Sequence, residues 1–199
     1  MEDNEAGADP AAAAPQAAAA QTARRRRRPL VGVLAAITVV VYALDQITKW
    51  QAEQHLTPGV PVELIDGLLN LRLLYNSGAA FSIATGLTWL LTVLAVIVVI
   101  VIVRVATRLG SRGWAVALGL LLGGALGNLT DRLARQPGFG RGHVVDFLEF
   151  GFVDFPVFNI ADSAITLAAV CVVLLGLLGI GVDGVRERSA AKAGDGDDG

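Results

Sequence analysis

The sequence predicts an all-α integral membrane protein: four transmembrane helices with a small extracytoplasmic β-hairpin or cradle element. Three observations carry that expectation. Four long apolar stretches run through the chain without the alternation of a half-buried strand. Of the 199 residues, 54% are hydrophobic and 17% charged, against about 45–50% and about 25% in a soluble domain. Arginine is concentrated in particular connections instead of being spread over a surface. In lipid only helices and closed barrels satisfy their own backbone, and long non-alternating runs exclude a barrel.

Residues 1–28 stand apart. Met1 to Ala23 is Ala-rich with scattered acids and no apolar period, and the run Arg24 to Arg28 follows it. A solvated, unstructured tail ending in a basic block fits this composition. Because the block abuts an apolar stretch, a membrane-surface anchor is preferred to nucleic acid binding.

The first span is Leu30 to about Ile47, with Asp45 near its end. A basic n-region, an apolar h-region and Val41-Tyr42-Ala43 also fit a cleaved signal peptide. The apolar run exceeds the usual length of about 7–15 residues, which favours a retained helix. Segment 51–83 is less apolar. Val60 to Ile65, the turn residues Asp66-Gly67 and the mixed run Leu68 to Tyr75 predict a hairpin at the membrane surface.

The second span runs from about Thr88 to Val103, reaching full length if it borrows Ala84 to Leu87. The third runs from Trp114 to about Leu129, with Gly119, Gly123, Gly124 and Gly127 striping one side. Small residues at that spacing let helices approach closely; no Gly-Lys-Ser/Thr ending makes the stripe a phosphate loop. The fourth runs from about Phe158 to Ile180, with Asp162 near its start, and 183–199 reads as a second solvated tail. The division is therefore a tail (1–28), a membrane domain (29–182) and a tail (183–199). Basic residues exceed on the side of the two termini, which places both termini in the cytoplasm and segments 48–87 and 130–157 outside.

Chemistry is narrowed by what is scarce. Cys171 is the lone cysteine and reads as a small buried hydrophobe; His55 and His143 do not form a zinc motif. No metal or cofactor is expected. What remains is carboxylate. Asp45, Asp131 and Asp162 fall near the outer ends of the spans, where charge is costly and faces a bundle or cavity, and Asp146 lies on the outer segment between the last two. Structural roles are available: Asp45 with Lys49 one turn later, Asp131 with Arg132, and Asp162 at a helix N-terminus. A pair of aspartates sharing a proton could instead activate water for peptide hydrolysis, and intramembrane acids can also mark an ion path. Asn128 and Asn159 each precede an aspartate by three residues, a spacing that suits orienting the acids or holding a peptide backbone.

Five blocks in order make the chain recognisable: Asp45-Gln46-Ile47-Thr48-Lys49-Trp50, Asn76-Ser77-Gly78-Ala79-Ala80-Phe81, Gly123-Gly124-Ala125-Leu126-Gly127-Asn128-Leu129-Thr130-Asp131-Arg132, Val144-Val145-Asp146-Phe147 and Phe158-Asn159-Ile160-Ala161-Asp162-Ser163. Together they resemble bacterial lipoprotein signal peptidases (signal peptidase II) over about residues 30–182. The resemblance implies a membrane aspartic endopeptidase of the bacterial cell membrane. Such enzymes cut the signal peptide from a prolipoprotein just before a cysteine carrying diacylglyceryl. It implies Asp146 and Asp162 as the catalytic pair, with Asp131 as a further candidate. It also implies Asn128, Arg132, Asn159 and Asn76 as substrate-positioning residues, and Asp45 and Lys49 as support. Partners implied are the diacylglyceryl prolipoprotein, membrane lipid and a globomycin-type inhibitor, with a monomeric bundle and no nucleic acid. A small transporter and a non-catalytic lipoprotein scaffold are the competing classes. The second span, polar only at Thr92 between Leu90 and Val103, offers a transporter no continuing path.

Overall fold

The computed structural model describes residues 10–78 and 88–186, with side chains from Pro29 onward. The Ala84 to Leu87 extension of the second span lies outside the described residues, as do the outermost parts of both expected tails.

Among the described residues, four helices are long and apolar enough to cross a membrane. The first, α1 (Pro10–His55), passes well beyond its expected end near Ile47. Segment 10–28, expected to be unstructured, is continuous with it; alanine has the highest helix propensity of any residue. Helix α2 is Thr88–Ala106, α3 is Arg112–Ala134 and α4 is Ile160–Leu177. Helix α3 outruns its expected end by more than a turn, so Asp131 lies inside it instead of closing it.

Helix α3 is the hub, packing against α1, α4 and α2, and its glycines explain how. A Cβ on Gly119 would press on Ile37 and the Leu34 carbonyl, and one on Gly123 on Val41 and the Thr38 carbonyl. One on Gly124 would come within 2.5 Å of the Ala161 carbonyl oxygen of α4. The Thr38 hydroxyl donates to the Gly119 carbonyl at 3.2 Å, fixing the depth of α1 against α3. The expected packing stripe is thus present.

The hairpin is present too: β1 (Val62–Ile65) and β2 (Leu69–Asn76) are antiparallel and joined through Asp66-Gly67, where Gly67 has φ of 63°. A third strand, β3 (Val144–Phe150), was not anticipated. It pairs antiparallel with β2, giving the order β1-β2-β3. Between the pairs Leu71↔Leu148 and Leu74↔Asp146 the register shifts, so Arg72 and Leu73 oppose Phe147 in a bulge. Leu73, Val145 and Phe147 then pack on Ala52 of α1. Alternation along the strand sends Asp146 to the opposite face from Val145 and Phe147. The sheet is in this way seated on the overhang of α1, about 15 Å of helix beyond Asp45.

At the other end of the bundle the chain after α4 does not leave at residue 183. Residues 178–186 turn back onto the α2–α3 connection: Gly110 N–H donates to the Val182 carbonyl (2.8 Å), and Trp114 Nε1 to the Ile180 carbonyl (2.7 Å).

Gly124→Ala should cost about 1–3 kcal/mol through forced backbone separation, whereas Gly176→Ala, with nothing near its added Cβ, should not destabilise. Thermal unfolding in detergent checks the pair; equal midpoints for the two would contradict the α3–α4 contact.

Candidate active site

The costly groups of the sequence converge at the sheet end of the bundle. Asp45, Lys49, Asp131 and Asn159 are fully buried and Asp146 nearly so. A buried charge is tolerated when it is paired and hydrogen-bonded, and here each group satisfies the next.

Lys49 is the centre. Its Nζ lies 2.8 Å from Asp45 Oδ2, 2.7 Å from Asp131 Oδ2 and 2.9 Å from Asn128 Oδ1. The expected Asp45–Lys49 pair is therefore one arm of a larger cluster. The other oxygen of Asp45 accepts from the Ala161 N–H at 3.0 Å, satisfying an otherwise free amide of the first turn of α4. Gly127 leaves room for this carboxylate, since a Cβ there would collide with Asp45.

The expected Asp131–Arg132 pair is replaced. Asp131 bonds Lys49 with one oxygen and Arg135 Nε (2.7 Å) with the other. Neighbouring residues on a helix diverge by about 100°, whereas i and i+4 share a face. Asp131 also accepts from Val145 N–H at 3.3 Å, immediately before Asp146. Arg132 is half-buried, and its Nη1 has no partner among the described residues.

The asparagines frame two acids. Asn159 caps α4 reciprocally with Asp162: Asp162 N–H donates to Asn159 Oδ1 (2.9 Å) and Asn159 N–H to Asp162 Oδ2 (3.2 Å). Asn159 Nδ2 donates to Asp146 Oδ1 at 2.7 Å, so Asn159 holds one acid with its side chain and the other with its backbone N–H. Asn76 Nδ2 donates to Asp146 Oδ2 at 2.9 Å. Asn128 was expected to serve Asp131, three residues on; it donates instead to Asp162 Oδ1 at 2.8 Å, across the α3–α4 interface. Lys49 fixes this choice by engaging the Asn128 oxygen.

Burial pushes the Asp146 carboxyl up to about 6, assisted by the charge of Asp162 and opposed by the Asn76 and Asn159 amides. Both acids open on a cleft of about 580 Å³, walled by Asn76, Phe158, Leu167 and Val170. Most of its wall is apolar, and Asp146 and Asp162 are its two acids. A protonated and an ionised carboxyl held side by side can together activate water and protonate a leaving group.

Two residues of the cluster had been given no role. Gln46 Nε2 donates to Asp45 Oδ2 (3.1 Å) and to the Gly127 carbonyl (3.2 Å). Arg135 ties Asp131 to Glu53 on the overhang of α1. The i,i+4 spacing of Asp131 and Arg135 was a usable signal; Gln46 offered none beyond adjacency to Asp45. Within the Asn76 block, residues 79–81 lie outside the described residues. No group of His, Cys, Asp and Glu suited to a metal ion occurs among the described residues.

Fold and site together define a polytopic membrane protein with a buried acid–amide centre able to carry out acid–base hydrolysis. A family model described as signal peptidase (SPase) II matches residues 37–178. The lipoprotein signal peptidase of Rhodococcus jostii (strain RHA1) is 50% identical over 162 residues, covering 81% of this chain and 79% of that protein. That of Mycobacterium tuberculosis (strain ATCC 25618 / H37Rv) is 45% identical over 158 residues, covering 79% and 77%. A solved bacterial membrane enzyme superposes with a TM-score of 0.66 at 32% identity, covering 73% of this chain and 93% of its own. The chain belongs to the signal peptidase II family and is a membrane peptidase.

Lys49→Met removes the shared cation and leaves two buried carboxylates facing one another. A loss of about 3–5 kcal/mol is expected, read as a lower thermal midpoint in detergent; an unchanged midpoint would contradict the central role of Lys49.

Asp146 holds its proton below about pH 6 and releases it above. Because this folded value lies above the ordinary 3.8, the group favours the folded state fully below the ordinary value. That contribution fades as pH rises through about 6. Asp162→Asn deletes a charge that raises Asp146, so the midpoint should fall. Infrared titration of the protonated carboxyl band reads this directly, and an upward move would refute the coupling.

Proposed function

We propose that this chain is an aspartic endopeptidase that releases signal peptides from diacylglyceryl-modified prolipoproteins, cutting just before the lipidated cysteine. The observation that carries the reading is Asn159, which donates to the Asp146 carboxyl through its side chain and to the Asp162 carboxyl through its backbone N–H, beside a largely apolar cleft that both acids line. In this mechanism Asp162 takes a proton from water while protonated Asp146 donates to the scissile carbonyl. The hydroxide adds to the carbonyl carbon. As the tetrahedral intermediate collapses, the proton on Asp162 passes to the departing amine, and a hydroxyl of the intermediate returns its proton to Asp146 as the carbonyl re-forms. Asn76, Asn128 and Asn159 orient the acids, and Lys49, Asp45 and Asp131 hold that frame. Arg132, its buried Nη1 unpartnered among the described residues, donates to a substrate carbonyl in this mechanism.

The substrate brings its own binding energy. Acyl chains and the signal helix are apolar along their length, and only the cleavage point must meet acids. Contacts remote from the reacting bond can then be used to position it. The proposal places the protein in the bacterial cell membrane as a monomer, with both termini cytoplasmic and the acidic end outside. A globomycin-type cyclic peptide would compete for the cleft. Residues 29–182 form the peptidase unit in this reading, flanked by tails at 1–28 and 183–199.

Asp146→Asn and Asp162→Asn should each lower cleavage of a diacylglyceryl prolipoprotein by at least about 10²–10⁴-fold while membrane insertion and thermal midpoint are retained. Globomycin should block the wild type. Cleavage persisting in Asp146→Asn but lost in a well-folded Asp131→Asn would move the catalytic pair.

A further inference from the structure

The end of the bundle opposite the acids carries a second cavity that peptide hydrolysis does not use. Its volume is about 570 Å³, and it is lined by Arg104, Val105, Thr107, Arg108, Gly181, Val182 and Asp183. One wall is the last turn of α2 and the turn after it; the other is the segment that folds back after α4. That segment is held firmly. Gly110 N–H donates to the Val182 carbonyl, Trp114 Nε1 to the Ile180 carbonyl, and Gly181 N–H to the Val185 carbonyl. Gly110 lies so close to the Asp183 backbone that a Cβ would not fit between them. The cavity is thus built by tertiary contacts and is not a gap between loose ends.

Its polar equipment selects a class of ligand. Arg104 and Arg108 stand four residues apart and are exposed. Neither guanidinium has an ion pair or hydrogen bond among the described residues. Each is a planar set of donors matched to phosphate oxygens. Asp183 opposes them, yet one of its oxygens already accepts from Val185 N–H at 3.0 Å, and the two arginines leave the lining with a net positive charge. Depth selects the source of the phosphate. Arg104 lies in the last turn of a 19-residue apolar span, and Trp114, half-buried and of interfacial type, lies beside the cavity-forming segment. Guanidiniums at that level meet lipid headgroups.

We propose that this cavity is a binding site for the headgroup of an anionic phospholipid, with Arg104 and Arg108 clamping the phosphate and the folded-back segment 178–186 forming the outer wall. Occupancy would brace the α2–α3 connection against the end of α4.

The test uses the full-length protein purified in detergent and titrated with phosphatidylglycerol, the apparent affinity being read from the rise in thermal midpoint. Arg104→Gln with Arg108→Gln should weaken binding roughly ten- to thirtyfold, and either change alone roughly fivefold. Peptidase activity without added lipid should be unchanged. Should the double variant fail to fold, the single variants and the charge-preserving Arg→Lys pair, which should bind more tightly than the Gln pair, decide. Arg112 is basic and near but does not line the cavity, so Arg112→Gln should leave affinity unaltered. Equal weakening by Arg112→Gln would indicate diffuse surface charge and overturn the site. So would equal affinity for phosphatidylcholine, or tighter binding of phosphatidylethanolamine. Inorganic phosphate alone reproducing the full stabilisation would assign a free-phosphate site and overturn the lipid.

Discussion

The structure depends on a single buried lysine. Lys49 brings together Asp45 from its own helix and Asp131 and Asn128 from α3, and each partner passes the constraint on. Asp45 holds the first turn of α4 through the Ala161 amide. Asp131 holds the start of β3 through the Val145 amide. Asn128, its oxygen fixed by Lys49, turns its NH₂ to Asp162. Three helices and the sheet are thereby registered to one another by groups that lipid would otherwise expel. Isolated charges at this depth would be costly; as a connected network they fix the relative height of the elements that carry Asp146 and Asp162.

The glycine stripe and this network depend on each other. Direct contact between a short carboxylate on α1 and an amide of α4 requires that α3 come very close to both. Gly127 provides that approach beside Asp45, and Gly124 beside the Ala161 carbonyl. Close helix packing in a bilayer cannot rely on hydrophobic expulsion, since lipid tails are as apolar as leucine. Small residues supply the proximity, and buried polar pairs supply the register.

Much of this was legible in the sequence, for a physical reason. Transmembrane spans are written in length and hydropathy, which are local properties, and an acid near the end of such a span is conspicuous because its cost is high. Asp45, Asp131 and Asp162 could be singled out on that ground alone, and Asp146 by its place on the outer segment between the last two. Pairing was less legible, since it depends on how helices face one another. Arg132 adjoins Asp131 in sequence but not on the helix surface, and Arg135 takes the place expected of it. Asn128 sits on the face of Asp131 yet serves Asp162 on another helix. Strand β3 was missed although Val144-Val145-Asp146-Phe147-Leu148-Glu149-Phe150 is rich in β-branched and aromatic residues. Its partner β2 lies some seventy residues earlier, about where Asn76 meets Val144, and nothing local declares such a pairing. The helical character of 10–28 was masked by the Arg run and the lack of an apolar period, though its alanines favour a helix.

The geometry also separates the three acids that could form the proposed pair. Asp131 is surrounded by donors: Arg135 Nε and Gln46 Nε2 on one oxygen, Lys49 Nζ and Val145 N–H on the other. Fully buried, it has no lone pair left for water. Asp146 and Asp162 receive only amide donors, from Asn76 and Asn159 and from Asn128 and the Asn159 backbone. Both border the cleft. Neutral donors aim a carboxyl without neutralising it, so a proton can still move on and off, as acid–base catalysis requires. Cations hold a carboxyl in place and leave it nothing to exchange. Asp131 therefore suits the frame, and the two acids joined by Asn159 suit the chemistry.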